Sequence, residues 1–242
     1  MIIGVVGKKR SGKNTLGNYF TGRKLKELNL VEDYHINKEG KLVVKTNFLD
    51  GSVDWGILDL DRKDDEFINH ASQTIWPYAK CYSFAEPLKD MIINLFDVDR
   101  SFVYGTEEQR NSKTHIKWQD MPGLIKKKDD FMSGIELMQF FGTEIMRKIY
   151  DPIWVNQTIR RILAEYSELS IITDVRFPNE VEAIKKVGGK IIKLTRDIVK
   201  STHASEISLD HYKDYDIIID NKNMTHEEYI SRLDEIYIKA TK

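Results

Sequence analysis

The chain has 242 residues, 41% of them hydrophobic and 31% charged, a mixture that excludes a disordered polymer and suits one fair-sized α/β domain. Thirty-seven Lys and Arg against 38 Asp and Glu leave a formal net charge of −1, so nothing draws the whole molecule to nucleic acid or to an anionic membrane, although a local basic pocket is compatible with that balance. The one cysteine, Cys81, excludes an internal disulfide and a CxxC metal site and points to a reducing, cytoplasmic setting.

The first predicted element is a strand over Ile2–Val6. It is too short for the core of a signal peptide, and glycines and lysines follow at once; no later apolar stretch approaches the ~20 residues of a membrane span. The strand runs into Gly7-Lys8-Lys9-Arg10-Ser11-Gly12-Lys13-Asn14-Thr15 and then a helical pattern over residues 14–28. A G-x4-G-K sequence between a strand and a helix is the setting of a P-loop. Glycines let the backbone curl around phosphate oxygens, the helix N-terminus adds partial positive charge, and Lys13 adds a full one. Asn14 stands where Ser or Thr usually ligates Mg²⁺; its amide oxygen is a less typical ligand, and Mg²⁺ held through water is the alternative. Arg10, inside the loop, is placed to bridge a donor and an acceptor phosphate or to lie on the surface.

Residues 32–75 are polar and acidic, with turn signals at Lys38-Glu39-Gly40 and Asp50-Gly51, and read as an inserted hairpin or flap. A second strand is expected over 79–84, with Cys81 inside it. It leads into Ser83-Phe84-Ala85-Glu86-Pro87-Leu88-Lys89-Asp90, where Pro87 starts a helix to residue 96 and Lys89 lies in its first turn, a phosphate ligand or a plain surface cation. Residues 100–130, with Arg110, Pro122-Gly123 and the run Lys126-Lys127-Lys128-Asp129-Asp130, read as a mobile loop or lid. A long helix over 135–149 is interrupted near Gly142. On it Gln139 and Thr143 suit a nucleobase and Arg147 a phosphate. Trp154, opening a helix over 154–166, is either core or a stacking platform.

A third strand over 170–173 ends in Asp174-Val175-Arg176-Phe177-Pro178-Asn179-Glu180. Ligands gather at the carboxyl ends of parallel strands. Asp174 is therefore suited to hold Mg²⁺ through water or to orient a nucleophile, and Arg176 to grip a phosphate or a base edge. Glu180, in the first turn of a helix over 179–187, either accepts from base or sugar or answers the helix dipole. Strands over 190–195 and 216–219 and a helix over 227–238 complete the alternation, which predicts a parallel five-stranded sheet with helices on both faces. The roles of His203, Ser205 and Glu206, in the loop after the fourth strand, stay open. There is no zinc-ligand spacing, no GxSxG elbow and no NKxD sequence.

The chain resembles the phage-type deoxynucleoside monophosphate kinases. The resemblance rests on GKKRSGKNT, FAEPLKD, YGTEEQR, LMQFFGTEIMRKIYDPIWV, TDVRFPNEVEAIKKVGGKIIKLTR and STHASE, which occur in the family's order over most of the chain. It implies a P-loop NTPase three-layer fold as a single domain, with insertions at about 32–75 and 100–130. It implies transfer of a phosphoryl group from ATP, with Mg²⁺, to a deoxynucleoside monophosphate, in the cytoplasm of the cell or of a viral host. On that resemblance Gly7, Lys8, Lys9, Arg10, Ser11, Gly12, Lys13, Asn14 and Thr15 cradle ATP. Arg10, Lys89, Arg110, Arg147 and Arg176 hold the acceptor phosphate or the migrating phosphoryl, with Lys13 and Asp174 beside them. Gln139, Gly142, Thr143, Trp154 and Glu180 surround the deoxynucleotide. The partners implied are small nucleotides, with no nucleic acid and no membrane, and a homodimer is compatible with them. Two rivals share the P-loop: a kinase like that of dephospho-coenzyme A, and a nucleotide-binding switch.

Overall fold

A computed structural model describes residues 1–47, 53–121, 130–198 and 203–242. In chain order the elements are β1 (Ile2–Val6), α1 (Lys13–Glu27), β2 (Asp33–Ile36), β3 (Leu42–Asn47), β4 (Val53–Ile57), α2 (Asp65–Thr74), β5 (Ala79–Tyr82), α3 (Glu86–Phe96), α4 (Ser101–Tyr104), α5 (Glu107–Asn111), β6 (Lys113–Lys117) and β7 (Phe131–Ser133). There follow α6 (Gly134–Gln139), a π-helical stretch (Phe140–Met146), α7 (Arg147–Ile149), α8 (Ile153–Glu165), β8 (Leu169–Val175), α9 (Pro178–Lys186), β9 (Lys190–Leu194), α10 (Ala204–Ile207), β10 (Ile217–Ile219) and α11 (His226–Thr241). The chain divides into two compact units, residues 1–83 with 159–242, and residues 84–158.

The first unit is built on a five-stranded parallel sheet in the order β10-β9-β1-β8-β5. All five residues of β1 are buried, as expected of a central strand covered on both sides. Alternation along it separates the two faces. Ile3 and Val5 join Leu16 and Phe20 of α1 and Leu233 and Tyr237 of α11 in one core. Gly4, pointing the other way, lies so close to α9 that a Cβ there would meet the Ile184 side chain at 2.7 Å. Helices on both faces make three layers, and the predicted strand positions are met within a few residues.

The 32–75 insertion is more than a hairpin. It forms an antiparallel sheet β2-β3-β4, followed by α2, whose Phe67 and Ala71 pack with Ile75, just past the helix, on Leu25 of α1. Its first turn, Lys38-Glu39-Gly40, closes on the start of α1: the Asn18 side-chain amide donates to the Gly40 carbonyl at 2.8 Å. The second turn signal, Asp50-Gly51, lies outside the described residues, as do Pro122-Gly123 and Lys126 to Asp129.

The second unit has its own core of Leu88, Ile92, Val103, Met132, Leu137, Phe140 and Trp154. The described part of the expected 100–130 loop is structured. Two short helices, the first turn of α5 closed by a Thr106 capping box, precede β6, which pairs with β7. The predicted interruption near Gly142 is a π-helical stretch, a widening that breaks the regular carbonyl-to-amide ladder. The Trp154 indole donates to the Gly142 carbonyl at 3.2 Å inside this core. Gly142 lets the Leu88 side chain approach closely: a Cβ there would fall 2.5 Å from the Leu88 Cδ2.

Candidate active site

The turn after β1 is built to present amides and withdraw carbonyls. Arg10 and Gly12 take left-handed backbone angles, φ 61° and 99°, and α1 opens at Lys13. The Lys13 ammonium donates to the carbonyls of Gly7 and Lys8, each at 2.7 Å. The Ser11 carbonyl accepts from the Asn221 side chain at 2.8 Å, and the Gly12 carbonyl from the Tyr229 hydroxyl at 3.1 Å. The first amides of α1 have no carbonyl one turn back and remain for an anion. Asn221 is fully buried and also accepts from the Arg196 amide at 2.9 Å, so the loop is pinned to the chain leaving β9. The Asn14 side chain is exposed at the mouth of the turn, while Thr15 lies against Gly40. Lys9 is half-buried and Arg10 exposed.

Cations crowd this end of the sheet. Burial, then Arg176 and Lys193, push the Lys13 ammonium down to about 7 against an opposing pull from Asp174. Lys193 is itself lowered by burial and then by Lys8. A buried lysine held among cations is unfavourable in the free protein, and a polyanion is the ligand that relieves it.

Carboxylates set the positions of these cations. Asp174, still within β8, accepts from the Ser83 hydroxyl at 2.5 Å. Arg176 pairs with Glu206. Lys8 pairs with Asp210 and donates to the Glu206 carbonyl at 2.6 Å. His203 caps α10, its Nδ1 accepting from the Ser205 amide at 3.3 Å. Glu180, 2% exposed, accepts from the amides of Arg176 and Phe177 at 2.7 and 3.1 Å, so it shapes the turn that carries Arg176. Cys81 takes no part; burial pushes its thiol up to about 12.

Among the described residues no three His, Cys, Asp or Glu side chains converge as a metal site. What the strand ends and the loop offer instead is one carboxylate with a hydroxyl, Asp174 and Ser83, and the exposed Asn14 amide. That donor set fits Mg²⁺, which keeps waters and phosphate oxygens as most of its ligands. A cavity of about 420 Å³ adjoins the loop's anchor, lined by Asp220, Lys222, Asn223, Met224 and Glu228, in the same turn as Asn221.

The second unit carries the other expected residues. Lys89 lies over the Tyr104 ring at 4.6 Å, and burial, then a hydrogen bond to Asp90, raise the Tyr104 hydroxyl's pKa. Arg110 has a buried Nε with no hydrogen-bond partner among the described residues. Gln139, Thr143 and Arg147 follow one another at four-residue spacing along the helix containing the π stretch. The Arg147 side chain is 8% exposed and lies 3.6 Å from Asp151. Trp154 is 4% exposed, in the core.

Within the first unit the structure thus brings together Lys8, Lys13, Asp174 and Arg176. Glu180 stands behind them, and Lys89, Arg110, Gln139, Gly142, Thr143, Arg147 and Trp154 belong to the second unit. Sequence reasoning missed Asn221, Tyr229, Lys193 and Asp210 and left Glu206 open. Asn221 and Tyr229 reach the loop across more than 200 residues, and no local spacing marks them.

Comparison with known proteins identifies the family. A family model described as deoxynucleotide monophosphate kinase matches residues 1–232. A mimivirus protein provisionally named deoxynucleotide monophosphate kinase is 33% identical over 165 residues, covering 62% of this chain and 79% of that protein. The deoxynucleoside-5'-monophosphate kinase of Escherichia phage T5 is 30% identical over 133 residues, covering 53% of this chain and 51% of that protein, about half its length.

Proposed function

Because the chain belongs to the deoxynucleotide monophosphate kinase family, we propose that it moves the γ-phosphoryl group of ATP onto the phosphate of a deoxynucleoside monophosphate. An acceptor phosphate oxygen forms the new bond to the γ-phosphorus. The bond from that phosphorus to the β–γ bridging oxygen breaks, and its electron pair leaves with ADP. The observation that carries this reading is the ammonium of Lys13, 8% exposed, inside a turn whose Gly7, Lys8, Ser11 and Gly12 carbonyls are occupied.

The acceptor oxygen is already anionic, so no general base is needed. Catalysis is alignment and charge stabilisation. The turn from Gly7 to Thr15 holds the triphosphate, with Lys8, Lys9 and Ser11 in its wall and Lys13 on the β- and γ-phosphates. Arg10 and Arg176 meet the transferring group. Lys89, Arg110 and Arg147 take the acceptor's phosphate; the unpartnered Arg110 Nε and the sheltered Arg147 side chain support that assignment. Gln139, Gly142 and Thr143 lie by its base, Trp154 supports Gly142 from the core of its unit, and Glu180 supports the turn that carries Arg176. Asp174, with Ser83 and Asn14, would hold Mg²⁺ chiefly through water, the ion supplying charge neutralisation across the phosphates when bound.

An ADP-release assay tests the reading with ATP alone, then with each deoxynucleoside monophosphate, each ribonucleotide counterpart, and dephospho-coenzyme A. Near-idle turnover of ATP alone and at least a hundredfold stimulation by one or more deoxynucleotides is the expected result. Stimulation by dephospho-coenzyme A only, or hydrolysis indifferent to any acceptor, would refute it.

A further inference from the structure

Segment 203–210 touches both the phosphate loop and the arginine after β8. Glu206 pairs through its side chain with Nη1 of Arg176, and the Ser205 carbonyl accepts from the same nitrogen at 3.4 Å. The Glu206 backbone carbonyl accepts from Lys8 at 2.6 Å, and Asp210 pairs with the same ammonium. We propose that Glu206 is a positioning residue for phosphoryl transfer, tying Arg176 to the phosphate loop so that both cations meet the nucleotides already oriented. The proposal rests on the reading of Arg176 as a ligand of the transferring group.

Three observations carry it. First, both contacts from the segment fall on Nη1, one corner of the guanidinium. A planar fork can give one edge to a carboxylate and another to a phosphate. Second, the pair is sheltered, with side-chain exposures of 30% for Arg176 and 13% for Glu206, so water screens it less than an exposed surface pair. Third, Arg176 is held from both ends. Glu180 accepts its backbone amide at 2.7 Å, and Glu206 holds its tip. An arginine free at its tip must be ordered when substrate arrives, and that loss of rotamer freedom weighs on the transition state. Glu206 removes the need.

A double-mutant cycle tests this, using Glu206→Gln, Arg176→Ala and the pair, with Glu206→Asp as a second probe. Each variant is read by acceptor-dependent kcat, by acceptor KM and by direct titration with a non-hydrolysable ATP analogue. The expected result is a tenfold or greater fall in kcat for Glu206→Gln, with analogue affinity changed less than twofold and no further loss when it is added to Arg176→Ala. Glu206→Asp, which keeps the charge one methylene back, should recover part of the rate. Should Glu206→Gln melt early, Glu206→Asp carries the test, with an intermediate rate expected and a wild-type rate against the proposal. Independent, multiplying losses in the cycle, or a kcat within twofold of wild type, would overturn the role of Glu206 while leaving the kinase reading intact. A wild-type protein inert to every deoxynucleotide would overturn both.

Discussion

Replacing Lys13 by Met should abolish turnover and at the same time make the free protein more stable. The lysine is 8% exposed. Burial, then Arg176 and Lys193, bring it from 10.5 to about 7. At 1.36 kcal/mol per decade, holding a proton there costs the folded state about 5 kcal/mol below pH 7. Methionine removes that cost but leaves the Gly7 and Lys8 carbonyls without their donor, at about 1 kcal/mol each. The net gain is about 2–3 kcal/mol, or roughly 5–10 °C in melting temperature for a chain of this size. The sign with pH follows from proton counting. Between about 7 and 10.5 the unfolded lysine keeps its proton while the folded one has lost it, so wild-type stability rises with pH across that window and Lys13 contributes no slope below it. Urea melts at pH 6.5 and 9.5 read this directly. The variant should have the higher midpoint at pH 6.5 and lose or reverse that advantage at pH 9.5. A variant less stable than wild type at pH 6.5, or one with the same advantage at both values, would refute the reasoning.

The same lysine predicts that a polyphosphate binds with proton uptake. Affinity for a non-hydrolysable ATP analogue should fall by up to tenfold per pH unit between pH 7.5 and 9.5, and a calorimetric titration showing no change over that range would contradict it. Tyr229→Phe removes the donor on the Gly12 carbonyl and should cost about 1 kcal/mol in urea melts; an unchanged midpoint would show that the loop does not depend on that bond. Gly142→Ala sets a Cβ 2.5 Å from the Leu88 Cδ2 and should destabilise by about 1 kcal/mol; in a cycle with Leu88→Ala the double variant should recover part of the summed loss of the two single variants. Recovery absent from the double variant would move the strain elsewhere.

The parallel sheet was legible because burial on both faces writes a continuous apolar code. Ile2–Val6 has every residue buried, and its sequence carries no polar residue at all. The phosphate turn was legible because its glycines and Lys13 are needed at fixed spacing. Strand β4 escaped notice: it lies at the edge of a small sheet with Val53, Trp55 and Ile57 exposed, so no burial pattern singles it out. Helix α2 did leave a signal that went unread, since Asp64 caps it and accepts from the Phe67 amide at 3.0 Å, with Phe67, Ala71 and Ile75 at helical spacing. Near Gly142 the break was visible, but its π geometry depends on Trp154 twelve residues on and on Leu88 in another helix. Asn221, Tyr229 and Glu206 join the site by tertiary contact across the sheet. The partners of Asn221 and Tyr229 are carbonyls that any sequence could supply, so no motif records them, whereas Glu206 ends the STHASE block, whose spacing does not say that it pairs with Arg176.

The central claim is that two nucleotide phosphates react directly, and single-turnover transfer from ATP labelled at the γ-phosphorus tests it most closely. With a deoxynucleoside monophosphate in excess, the account predicts that the label appears in the deoxynucleoside diphosphate at the rate it leaves ATP, with essentially none in inorganic phosphate. Label released as inorganic phosphate at the same rate with and without acceptor would contradict it.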